Sequence, residues 1–354
     1  MNKITRIVTI YICIIVQFIS CKNSHGQSLD SIPRTNQQQI LIHSRSINED
    51  RTVWIHLPPE YNESTDHYPV LYLLDAGSHF KYASEMIDFL SGFESNCIPR
   101  MIIVGIPNTD RGRDFTPALV SKDTEEMSKT NGASNFLGFI KNELIPYVDK
   151  TYRTQPYRIL GTHSLGGLFG VYIHGIHPDL FQASIIISPA LNGEGERAKV
   201  MQDFATCLKK NTELTTKFFV SVGNEDTHGA NLLTLQLKKM SPKAVKWIYK
   251  KYQNENHFSV PYKSIYDGLR YIYSNWPLDI FLNPKKISYA NVRDHFDKLS
   301  EEFGYSINPT EDFLNQCGYQ QLRFRHIAEA IEFFQQNIKS HPKSFNVYDS
   351  MGEA

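Results

Sequence analysis

The sequence predicts an α/β fold: a mostly parallel central sheet with helices on both faces, extended by a short helical tail. Two observations carry this reading. From Arg51 to Tyr273, short runs of strand character alternate with segments of helical period, as parallel strands joined by helical crossovers require. The length of 354 residues, with 41% hydrophobic and 12% aromatic content, suffices for one large buried core plus an appendage.

The chain opens on residues of a different character. Lys3 and Arg6 precede an almost wholly apolar run from Ile7 to Ile19 that ends at Ser20-Cys21. The run is short for a bilayer span and is followed by polar residues through Gln27, so residues 1–29 read as an export signal. Phe18-Ile19-Ser20-Cys21 resembles a bacterial lipobox with Phe18 in place of the usual Leu, which makes Cys21 a candidate lipid anchor. The alternative is cleavage near Gly26 and release. Either way the expected location is the periplasm or the outer membrane of a Gram-negative cell.

Residues 30–278 read as the catalytic domain. Arg51 to Leu57 alternates in polarity and stops at Pro58-Pro59, a strand ended by residues that cannot donate to a ladder. Val70 to Asp75 and Met101 to Ile106 are continuous apolar runs, the pattern of strands buried on both faces. Phe136, Ile140, Leu144 and Val148 recur at four-residue intervals and predict a helix over Ser134 to Val148. Then follow strand Tyr157–Gly161, helix Leu165–Ile176, strands Ala183–Ser188 and Lys217–Val222, a helix through Leu232 to Met240, strand Val245–Tyr249 and helix Tyr262–Tyr273. The stretches around Ser78 to Cys97 and Leu191 to Thr212 read as loops that shape a pocket.

After Trp276-Pro277 the composition shifts. Residues 279–309 read as a linker with a short helix around Asn291 to Phe303. In residues 310–354, Leu314, Gly318, Ala330, Phe334 and Pro342 fall on positions of a tetratricopeptide repeat, and Tyr348 and Gly352 recur 34 residues after Leu314 and Gly318. The tail is therefore expected to be one helical repeat with an incomplete second, offering a surface to a protein partner.

Lys+Arg and Asp+Glu both number 37, so no global field favours nucleic acid, and Lys209-Lys210 and Lys238-Lys239 read as solvated helix faces. Cys13 and Cys21 lie in the export segment. The remaining Cys97, Cys207 and Cys317 are odd in number and widely spaced, so they form neither a disulfide framework nor a zinc pattern. No metal or cofactor is expected.

The chemistry centres on Gly161-Thr-His-Ser164-Leu-Gly166-Gly167, which falls between a strand and a helix opening at Leu165. A nucleophile elbow needs small residues two before and two after the serine, because its strained turn brings backbones close together. Gly166 satisfies one position; Thr162 departs from the other. A serine hydroxyl needs a base to take its proton. His257, in Glu255-Asn-His-Phe-Ser-Val-Pro261, follows the last strand in the chain order serine, acid, histidine. His163 is expected to face away from Ser164 as a structural histidine. The acid should sit at the end of the preceding strand, where Asn224-Glu225-Asp226 offers two carboxylates; Asp226 is the first choice and Glu225 the rival, and a dyad without an acid is a third arrangement. The oxyanion would be met by the backbone N–H of Leu165 and by a donor from the turn Asp75 to His79, either Ala76 or Gly77. Arg111 and Arg113, in a loop beyond a strand's carboxyl end, are candidates for binding an anionic substrate, against the alternative that Arg113 pairs with Asp114 to hold the loop.

Arg51-Thr-Val-Trp-Ile-His-Leu-Pro-Pro-Glu-Tyr61, Tyr68-Pro-Val-Leu-Tyr-Leu-Leu-Asp75, Arg111-Gly-Arg-Asp-Phe-Thr-Pro117, the elbow, His177-Pro-Asp-Leu-Phe181, Ile187-Ser-Pro189 and the His257 loop together resemble an esterase family of the α/β-hydrolase fold, over about residues 35 to 275. Its relatives include siderophore (enterobactin-type), feruloyl and acetylxylan esterases and S-formylglutathione hydrolases. The resemblance implies a metal-free Ser-His-acid hydrolase acting through an acyl-enzyme, with Ser164 and His257 in those roles. Its siderophore-esterase branch is the nearest, and a carbohydrate acetyl or feruloyl esterase is the alternative; the substrate would be a small-molecule or glycan ester. A reading from a different class makes the hydrolase domain a scaffold and the tail the working part.

Overall fold

The computed structural model describes residues 36–92, 95–117, 132–278 and 287–354. The expected export segment with Cys21 and part of the expected linker lie outside them. Among the described residues no helix is long and apolar enough to cross a membrane.

The strands are β1 (Gln37–Ser44), β2 (Glu49–His56), β3 (Tyr68–Leu74), β4 (Ile102–Ile106), β5 (Thr154–His163), β6 (Ala183–Ile187), β7 (Lys217–Val222) and β8 (Lys246–Lys251). They form an eight-stranded sheet of order β1-β2-β4-β3-β5-β6-β7-β8. β1 and β2 pair antiparallel, as do β2 and β4, and every later pairing is parallel. The fully buried patterns of β3, β4 and β6 explain their unbroken apolar runs, since both faces are covered. β1 escaped the sequence reading because it opens on Gln37-Gln38-Gln39 and is an edge strand with half its residues in solvent.

The helices are α1 (Ala76–Ser91), α2 (Arg111–Phe115), α3 (Gly132–Phe139), α4 (Ile145–Thr151), α5 (Leu165–Ile176), α6 (Glu196–Lys210), α7 (His228–Met240), α8 (Val260–Ile272), α9 (Tyr289–Phe303), α10 (Glu311–Arg323), α11 (Ile327–Ser340) and α12 (Phe345–Gly352). α1 and α6 correct the expectation of loops around Ser78 to Cys97 and Leu191 to Thr212. Both are amphipathic: Phe80, Ala83, Ile87 and Leu90 line the inner face of α1, and Val200, Phe204 and Leu208 that of α6. The stripe predicted over Ser134 to Val148 is real, and its spacing has a structural cause. A π-helical turn at Ile140–Leu144 joins α3 to α4, and this wider turn cancels the drift that four-residue spacing suffers on a 3.6-residue helix. Phe136, Ile140, Leu144 and Val148 therefore all stay buried.

The C-terminal helices are not strung on a linker. α9 is capped by the Ser288 side chain and by Gly304 in the left-handed region, φ +76°, and its Val292, Phe296, Leu299 and Phe303 belong to the same buried cluster as Leu71 of β3 and Ile185 of β6. Phe313, Leu314 and Cys317 of α10 and Phe333 of α11 extend that cluster. α10 and α11 approach closely because Gly318 leaves room: a β-carbon there would fall 2.4 Å from the Phe334 ring. The described part of residues 279–309 is thus a docked layer. Its key is Phe303, whose ring lies 5.0 Å from Tyr157 and 4.9 Å from Tyr273, with Lys217 Nζ 4.8 Å above it. Phe303→Ala is expected to cost about 3–5 kcal/mol, read as a lowered midpoint in urea unfolding with an unchanged slope.

Candidate active site

β5 ends at His163 and α5 starts at Leu165, leaving Ser164 between them at φ +58° and ψ −117°. A residue with a β-carbon occupies that region only when its surroundings force it. Here the Ser164 N–H donates to Ile187 O at 2.9 Å, and Ser164 O accepts from Gly167 and Ala190 at 2.9 and 3.0 Å. Close approach also needs glycine: a β-carbon on Gly166 would fall 3.2 Å from Asp75 Oδ2, and one on Gly167 2.9 Å from Pro189 Cα. Thr162, where the motif usually has glycine, is buried without conflict. Its Oγ1 donates to Ile185 O at 3.1 Å, and its methyl faces Gly170 of α5, where a β-carbon would stand 3.1 Å away. The small residue demanded at this crossing sits on the helix instead of the strand.

His257 lies in the turn between β8 and α8, in the same cavity as Ser164. Its Nδ1 meets Glu225 Oε2 at 2.5 Å. Glu225 Oε1 in turn accepts from Ser188 Oγ at 2.6 Å and from the Gly223 N–H at 3.3 Å. The choice of Asp226 as acid is corrected by this geometry. Asp226 accepts from Asn192 Nδ2 at 2.7 Å and from the His228 N–H at 2.9 Å, so it ties down the start of α7. Successive residues of the turn after β7 point to opposite sides, and the helix start claims the second. A carboxylate on Nδ1 keeps the proton there and leaves Nε2 as the acceptor facing the site. No hydrogen bond joins Ser164 Oγ to the imidazole among the described residues; such contacts commonly close only around substrate.

The expected oxyanion donors open two helices. Leu165 is the first residue of α5, and Ala76 and Gly77 open α1. First-turn amides have no acceptor within their own helix, whereas the Ser78 N–H is taken by Asp75 O at 2.9 Å. The turn before α1 is fixed by Asp75, which is left-handed at φ +53°. Its carboxylate accepts from Arg111 Nε and Nη2 at 2.7 and 3.1 Å and from Asn108 Nδ2 at 2.6 Å. Arg111 Nη2 also donates to His163 O at 3.1 Å, which clamps the β3 turn to the end of β5. Arg111 therefore lines the cavity with its charge already matched. Arg113 is not at the cavity: it pairs with Glu49 and Asp114 at 2.7 Å beside the buried Arg51–Asp114 pair, which rules out the substrate-binding reading and leaves the loop-holding one.

The cavity measures about 800 Å³, the size of a small-molecule site. His163 corrects a further expectation, for it lines the cavity and packs against His257 with ring centroids 4.6 Å apart and planes tilted by 41°. Burial, with the imidazoles of His257 and His79 beside it, holds its pKa down to about 4. Two further residues take part: His79 at the cavity wall, and Ser188, which lies in the Ile187-Ser-Pro189 stretch and holds Glu225. Among the described residues no cluster of side chains suited to a metal ion is present.

A family model described as "Putative esterase" matches residues 44–266. The chain belongs to this esterase family. Ferri-bacillibactin esterase BesA of Bacillus subtilis (strain 168) is 30% identical over 239 residues, 61% of this chain and 82% of the relative. An IroE-like serine hydrolase from Shewanella oneidensis superposes with a TM-score of 0.72 at 28% identity, covering 86% of this chain and 99% of its own. That share is too large for residues 1–278 alone, so the likeness runs into the C-terminal helices. The BES protein from Bacillus cereus follows with a TM-score of 0.59 at 29% identity, covering 68% of this chain and 97% of its own. The esterase thus has the α/β-hydrolase fold and is a carboxylic ester hydrolase; the scaffold reading is set aside.

Two predictions follow from the geometry of the esterase. Glu225→Gln should lower kcat by about 10²–10⁴-fold, while Asp226→Asn should stay within about threefold of wild type and lose only helix-cap stability; steady-state kinetics and thermal melts separate them. The second concerns acid stability. Burial also pulls the His174 imidazole down to about 4, so His163 and His174 are neutral in the folded chain while the unfolded chain protonates them from about pH 6.5 downward. Their contribution is complete above that pH and is lost as pH falls toward 4. Urea midpoints should decline across that window, and less so in His174→Gln.

Proposed function

We propose that the esterase hydrolyses a siderophore ester through an acyl-enzyme, with Ser164 as nucleophile, His257 as general base and Glu225 as the orienting acid. The observation that carries the reading is the pairing, around one cavity, of the strained Ser164 turn with an imidazole whose Nδ1 is held by a carboxylate. In this scheme Ser164 Oγ attacks the ester carbonyl carbon as its proton passes to His257 Nε2. The developing oxyanion is met by the Leu165 N–H and by a donor at Ala76 or Gly77. Collapse of the tetrahedral intermediate breaks the bond to the alcohol, which leaves with the proton from His257. Water activated by the same imidazole then cleaves the acyl-enzyme and regenerates Ser164.

The substrate class rests on the relatives and on the mouth of the cavity. BesA is described as a ferri-bacillibactin esterase. The mouth carries Phe258, 87% exposed, and Tyr262, 55% exposed, with the Tyr82 ring 5.3 Å from that of Tyr262. Lys263 stands beside them, held by Glu255 at 2.6 Å. An aromatic wall with a lysine suits an aryl group bearing acidic oxygens. The same wall would accept a feruloyl ring, which keeps a carbohydrate feruloyl esterase as the second reading.

Ser164→Ala should lose at least about 10³-fold in kcat on p-nitrophenyl acetate. On a panel of ferric enterobactin, ferric bacillibactin, a feruloylated sugar and acetylated xylan, the highest kcat/KM is expected on a ferric siderophore. Preference for the feruloylated sugar would move the assignment to the second reading, and full activity in Ser164→Ala would end it.

A further inference from the structure

His163 Nε2 is buried with no hydrogen-bond partner among the described residues, which costs stability. The ring is instead spent on contacts that lead to the base. It packs against the His257 imidazole, 4.6 Å between centroids with the planes tilted by 41°, and it hydrogen-bonds the main chain of His257. Behind it His79 stands edge-on at 5.5 Å, and the His79 Nδ1 is anchored by Tyr82 OH at 2.8 Å. A column therefore runs from α1 through the end of β5 to the His257 turn. Glu225 fixes the same imidazole from its Nδ1 side.

The geometry points to His163 as a positioning residue for the general base. The role rests on the assignment of Ser164 and His257 given above. A carboxylate at Nδ1 fixes one atom of the imidazole and leaves its ring free to swing about that contact; the His163 face removes that freedom. Its place in the chain matters as well. His163 is the last residue of β5 and the immediate neighbour of Ser164, and its carbonyl is held by Arg111 at 3.1 Å. The base is thus registered against the strand that carries the nucleophile, so the distance between the two follows from the sheet and not from the long turn that bears His257.

The test compares His163→Ala, His163→Leu and His163→Phe with wild type on p-nitrophenyl acetate. His163→Phe keeps a stacking face and should retain kcat within about threefold, whereas His163→Ala and His163→Leu should lose about 10- to 100-fold, all of it in kcat with KM unchanged. Leu fills the volume without a flat face, so it carries the comparison if the Ala variant does not fold. Three results would overturn the proposal: wild-type kcat in both aliphatic variants, a loss in His163→Phe as deep as in His163→Leu, or a loss confined to KM, which would make the ring a substrate contact. Ser164→Ala is run alongside. Full activity in that variant removes the nucleophile assignment itself, whereas inactivity there with unchanged His163 variants removes only the positioning role.

Discussion

The constraint on which the rest of this esterase depends is the backbone of Ser164, held at φ +58° and ψ −117° between β5 and α5. An L-residue leaves that conformation unless hydrogen bonds and packing on every side oppose it. Ile187 of β6 takes its amide, Ala190 and Gly167 take its carbonyl, and three glycines of α5 let the helix approach Asp75, Pro189 and Thr162. The strain lifts the side chain clear of the sheet edge. It also requires that β5 be flanked by parallel strands, since only they bring the ends of β3 and β6 level with it.

Strain recurs at those two neighbours. Asp75 after β3 and Ser188 after β6 are non-glycine residues at φ +53° and +46°. Each has a defined partner: Asp75 is clamped by Arg111 and Asn108, and Ser188 holds Glu225. The turn with the candidate oxyanion donors, the serine and the support of the Glu225 carboxylate therefore stand side by side at the ends of β3, β5 and β6, which are neighbours in the sheet. The conformational cost at these three positions is supported by a core that extends unbroken into α9, α10 and α11.

The docked C-terminal helices show how composition can mislead about autonomy. Residues 279–309 are polar enough to suggest a linker, yet the inner face of α9 supplies four buried side chains to the cluster beneath the sheet. A sparse stripe of Val292, Phe296, Leu299 and Phe303 is all that such docking needs, because Tyr157 of β5 and Tyr273 just after α8 complete the aromatic contacts.

Local chemistry made several features readable from residue order. Buried strands declare themselves by unbroken apolar runs, the elbow by a serine between strand and helix, and the candidate base by its position after the last strand, for in each case the signal and its cause lie within a few residues. β1, α1 and α6 were missed for lack of weight, not of signal: an edge strand half in solvent and two amphipathic helices carry weaker patterns than a buried strand. Contacts between distant segments were settled in space alone. Glu225 and Asp226 are adjacent carboxylates, and only the approach of Ser188 and His257 on one side and Asn192 on the other divides their roles. Likewise Thr162 is tolerated because Gly170 faces it, and the His163 ring packs between those of His79 and His257. Such outcomes depend on which surfaces the sheet order brings together, a relation between residues far apart in the chain that no local pattern encodes.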